Sequence, residues 1–104
     1  MSDDYQVFIP PSFHALHANA RGRLQLPLAE FRARYELCED LAQALTERAQ
    51  QIRFDLGVTE DDVLLRIGQG LREPASGLQG AEPGWVLHRL AELLDWPWDE
   101  ALAG

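Results

Sequence analysis

The sequence predicts an all-α fold: a three-helix bundle or helical hairpin with one long helix, preceded by an extended or disordered N-terminal arm. Three observations lead there. Residues 28–56 run without a glycine or proline. Within that stretch Phe31, Tyr35, Cys38, Ala42, Leu45, Ala49, Ile52 and Leu56 are spaced 4, 3, 4, 3, 4, 3 and 4, which is a heptad seam. No segment alternates apolar and polar residues with the period of two that a half-buried strand needs.

The first 27 residues form the predicted arm. VFIPPSFHALH at 7–17 is apolar, but the Pro10-Pro11 pair breaks it and favours extended polyproline geometry. Asn19-Ala20, Arg21-Gly22-Arg23 and Pro27 continue without a helical period. A disordered leader is normally poor in aromatic and branched residues. Phe8, Ile9, Pro10, Pro11, Phe13 and Leu16 are therefore expected to form a docking segment, in cis or in trans.

The first helix is predicted over 28–56, with Glu30 in its first turn, Arg53 near its last and Gly57 as its stop. Leu37, Leu41 and Ala44 widen its apolar stripe. Thr59 is a candidate N-cap, with Asp62 three residues on, and opens a helix over 60–71 carrying Val63, Leu64, Ile67 and Leu71. Gly68 and Gly70 weaken its end. A turn over 72–79 precedes a third helix over about 80–95, started by Pro83 and stopped before Trp96-Pro97. The helical domain then spans 28–98 and the tail 99–104 frays. Trp85 is expected in the core, whereas Trp96 and Trp98 stand near a chain end, where tryptophan makes a strong contact residue.

The heptad seam leaves two outcomes open. Helices two and three cover it within one chain, or two copies pair through Phe31, Tyr35, Cys38, Ala42, Leu45, Ala49 and Ile52 as a homodimer.

Charge and composition narrow the function classes. The chain has 104 residues, 17 acidic against nine basic side chains, and a net charge of −8, with all nine cations arginine. The acidity is concentrated after residue 58, where the net charge is −6. No nucleic-acid surface is expected, because phosphate binding needs clustered cations. The single Cys38 fits a reducing compartment, no membrane-length apolar run occurs, and a cytoplasmic location is expected.

Chemistry-bearing motifs are sparse. A phosphate loop requires a lysine, and the chain has none. His14 and His17 are spaced to share a helix face, but a structural metal needs more ligands than two imidazoles. Cys38 is flanked by Glu36, Glu39 and Asp40, the reverse of what activates a thiolate. Neither catalytic residues nor cofactor- or metal-binding residues are predicted.

Four stretches carry a resemblance: Phe8-Ile9-Pro10-Pro11-Ser12-Phe13 with Ala15-Leu16, RYELCEDLA at 34–42, LGVTEDDVL at 56–64 and RLAELLDW at 89–96. Together they resemble a family of small uncharacterised proteobacterial proteins, some of which are labelled "ATPase with chaperone activity". The resemblance implies a chaperone-associated, ATP-linked factor and assigns no functional residues. The residues themselves favour a non-catalytic protein-interaction or adaptor module with an unidentified protein partner. An acidic regulator of nucleic-acid machinery is the further alternative.

Overall fold

The structure is a computed structural model that describes residues 8–103. Its described residues hold α1 (Pro11–Leu16), α2 (Leu28–Leu56), α3 (Glu60–Leu71) and α4 (Glu82–Leu94), with 3-10 turns at Pro74–Ser76 and Glu100–Leu102. Among them there is no strand, only an isolated bridge between Ala18 and Leu24. The fold is all-α, as expected. The chain divides into two compact units, Met1–Leu37 and Cys38–Gly104. The first unit takes in the leader and the first ten residues of α2.

The first unit corrects the reading of the leader. Pro10 is extended (ψ 149°) and serves as the N-cap of α1, and Pro11 takes the N1 position. There its fixed φ suits a helix and its missing N–H costs nothing. The Pro-Pro pair therefore starts a helix instead of prolonging an extended arm. The Pro10 carbonyl accepts from the Phe13 and His14 amides at 3.0 and 3.1 Å. This turn carries Phe13 into a ring cluster with Phe31 (centroids 5.6 Å apart) and Tyr35 (5.5 Å, edge-on) of α2. Residues 17–27 close as a tight loop. The Asn19 side-chain oxygen accepts from the Arg21 and Arg23 amides, and Gly22 takes φ 79°. Residues 1–7 of the expected arm lie outside the described residues.

In the second unit α2 continues to Leu56, and Gly57 (φ 64°) ends it in the left-handed conformation that glycine adopts without strain. Thr59 caps α3: its hydroxyl accepts from the Asp62 amide at 3.2 Å. The second unit's core comprises Cys38, Ala42 and Ala49 of α2, Val63, Leu64, Ile67 and Leu71 of α3, and Val86, Leu87, Leu90 and Ala91 of α4. The α4 helix ends at Asp95, in the left-handed region at φ 57°, while the Trp96 amide returns to the Ala91 carbonyl at 2.9 Å. The tail expected to fray from 99 holds a 3-10 turn over 100–102 instead. Asp99 caps it, and Arg72 pins it by donating to the Leu102 carbonyl at 2.8 Å. Gly84 permits this return, since a Cβ there would lie 3.0 Å from the Ala103 carbonyl oxygen.

Candidate functional site

The predicted contact residues fall in two places. Phe8 is exposed (78%), Pro11 is exposed, and Ile9, Pro10 and Leu16 are half-buried. Phe13 is the correction: it is 0% exposed and forms the centre of the first unit's ring cluster. It is not available to a partner, because helix initiation at Pro11 turns it onto Phe31 and Tyr35. His14 and His17 also face the Phe31 ring, at 5.7 and 6.0 Å, which makes them packing groups.

Trp96 and Trp98 are half-buried in the second unit, as is Trp85, expected in the core. Trp98 stacks on the His88 ring at 4.4 Å, only 6° from parallel, and its indole N–H donates to Glu100 at 3.0 Å. The tail thus lies against α4, with Trp98 held by partners on both sides.

The seam residues are also placed differently from an open dimer face. Phe31, Cys38, Ala42 and Ala49 are buried in the single chain, while Tyr35, Leu45 and Ile52 are half-buried.

Two features were not anticipated. The first is an ion-pair network joining α2 to α4. Arg89 donates from Nε and Nη2 to the Glu39 carboxylate at 2.9–3.2 Å, and from Nη1 to Glu92 at 3.2 Å. Gln43 donates to the same Glu39 carboxylate at 2.8 Å. The Arg89 hydrogen bonds hold the Glu39 carboxyl below the usual carboxylate range and outweigh its partial burial. The same bonds push the Arg89 guanidinium up.

Because Glu39 is depressed in the folded state, the pair's stabilisation is present above the ordinary carboxylate value of 4.5 and is lost as pH falls through the lower folded value. With Arg89 about a third exposed, solvent screening limits the contribution to about 1 kcal/mol. Glu39→Gln is expected to lose that amount in urea melts at pH 7. Its melts should also fall less steeply than wild type between pH 5 and 3, as expected from loss of this titration.

The second feature is an apolar groove of about 430 Å³ between the C-terminal half of α2 and α3. Ile67 and Leu71 form its nearly buried floor, Leu45 and Ile52 its half-buried wall, and Leu56 (53% exposed) its open end. Its charged lining residues are Arg48 on α2 and Arg66 on α3. Beyond the groove Phe54 is 85% exposed and Leu65 also stands in solvent.

Periodicity could not reveal the groove, because Leu45, Ile52 and Leu56 share the period of the buried seam. The glycine at 70 was a partial signal: no atom comes within 4 Å of where its Cβ would be, so the wall is open there. Among the described residues no group of three or more histidine, cysteine, aspartate or glutamate side chains is arranged to hold a metal ion, and no helix is long and apolar enough to cross a membrane. No known family, curated protein or solved structure matches the chain.

Proposed function

We propose that the protein is a non-catalytic protein-interaction or adaptor module that docks through the Phe8-Ile9 end of its leader and through its helical surface. The observation that carries this reading is the set of large apolar side chains left in solvent: Phe8, Leu28, Leu37, Phe54, Leu56 and Leu65. Single exposed leucines are ordinary, but two exposed phenylalanines in a chain of 104 residues are the kind of surface that partners cover. Phe13 takes a supporting role here, anchoring the segment that presents Phe8.

A photoreactive phenylalanine analogue placed at Phe8 or Phe54 of the full chain, with exposed Gln79 as control, tests the reading in cells. Discrete adducts with another protein at positions 8 and 54, absent at 79, are expected. Adducts no different from the control would contradict it. So would saturable amide shifts on ATP addition accompanied by hydrolysis, which would favour the ATP-linked alternative.

A further inference from the structure

The groove between α2 and α3 has a charge opposite to that of the chain around it. The protein carries a net charge of −8, yet the charged side chains lining this cavity are Arg48 and Arg66. Both residues are exposed, one on each lining helix, above a floor of Ile67 and Leu71. Arg66 is steadied by Asp62 one turn back, at 3.3 Å, while Arg48 makes no ion pair among the described residues. The wall from Leu45 to Leu56 is twelve residues of helix, about 16 Å from end to end at the helical rise. That length matches three turns of a second helix lying alongside.

We propose that this groove binds an acidic amphipathic helix of a partner protein, with apolar side chains at i, i+4 and i+7 in the groove and carboxylates against Arg48 and Arg66. The proposal rests on the interaction-module reading and names the surface and the partner chemistry for it. Helix-in-groove recognition uses such apolar anchors. Opposite charge at the rim sets orientation and suppresses wrong partners. A fatty acid brings a single carboxylate, whereas cations on both walls suit a ligand with acids along both flanks. A second copy of this chain would need to bring a segment of the same character.

Selection of random 16-residue peptides displayed on phage against the full chain tests this, followed by amide-shift mapping with the enriched peptide made synthetically. The expected consensus carries leucine-like residues at helical spacing together with Asp or Glu, and shifts concentrate on Leu45, Arg48, Ile52 and residues 66–71. Combining Arg48→Glu with Arg66→Glu is expected to weaken the peptide at least tenfold, about 1.4 kcal/mol or more. Raising salt from roughly 20 to 200 mM should weaken wild-type binding severalfold, because the rim pairs are solvent-screened.

Both arginines are exposed, and unchanged circular dichroism will show that the double variant folds. Enriched peptides that are basic or uncharged, equal binding by the double variant, or displacement of the peptide by oleate would each overturn the proposal. Shifts centred on Phe8 or Phe54 would overturn it too, while leaving the interaction-module reading standing. If no peptide is enriched, the groove proposal fails, and the photo-crosslinking at positions 8 and 54 still decides the broader reading by itself.

Discussion

Phe13→Ala is expected to destabilise the first unit by about 3–5 kcal/mol, the range for truncating a fully buried phenylalanine. Phe13 has no exposed surface and meets His17, Phe31 and Tyr35 at ring distances of 5.3–5.6 Å. The loss combines the transfer free energy of the ring with the edge-on and tilted aromatic contacts, worth about 0.5–1.5 kcal/mol per pair beyond area burial. The α1 helix has six residues, too few to persist without this anchor. Amide exchange is the suitable measurement: residues 13–16 and 28–37 should lose protection in Phe13→Ala. Phe8→Ala, at an exposed position, should leave the same amides unchanged. Equal protection in wild type and Phe13→Ala would show that the leader is not held by this ring.

Leu87→Ala is expected to cost about 2–5 kcal/mol in the second unit, because Leu87 is fully buried on α4 against α3. Its neighbour on α3 makes the prediction sharper. A Cβ on Gly68 would lie 3.0 Å from Leu87 Cδ2 and 2.7 Å from Arg72 Nη1. In the wild-type chain Gly68→Ala gains up to about 1 kcal/mol of helix propensity, but it crowds Leu87 and disturbs the arginine that pins the tail. The net change should be small or unfavourable. In the Leu87→Ala background the clash with Leu87 is gone while the contact with Arg72 stays, so the same Gly68→Ala change should be less unfavourable than in the wild-type chain. Thermal melts of the four proteins measure the coupling, and strict additivity would contradict the close α3–α4 contact at this pair.

What could be read from the amino acids was what local chemistry encodes. The α2 and α3 spans coincide with the expected 28–56 and 60–71 because Gly57 and Thr59 give unambiguous stop and start signals over three residues. The expected third helix, 80–95, becomes Glu82–Leu94, trimmed at the ends where capping geometry decides. The α1 helix was missed because Pro10-Pro11 is compatible with both polyproline geometry and a helix N-terminus. Burial of Phe13 against Phe31 and Tyr35 chooses between them, and nothing local does.

The Glu39–Arg89 bridge spans fifty residues of sequence and has no spacing signature. Heptad spacing correctly marked Phe31, Cys38, Ala42 and Ala49 as buried but could not say what buries them. The same pattern carried on into Leu45, Ile52 and Leu56, where the structure leaves an open groove instead of core. Apolar periodicity marks surfaces that avoid water. It does not distinguish a surface covered by the same chain from one kept for a partner.

The proposed interaction module is a monomer, with Phe31, Cys38, Ala42 and Ala49 of the α2 seam buried within one chain. Sedimentation equilibrium of the full chain over a hundredfold range of concentration separates this from a seam dimer. A single species of 11.7 kDa is expected throughout. A reversible rise toward twice that mass, abolished by Ala42→Glu in a chain that still folds, would show instead that the α2 seam pairs two copies.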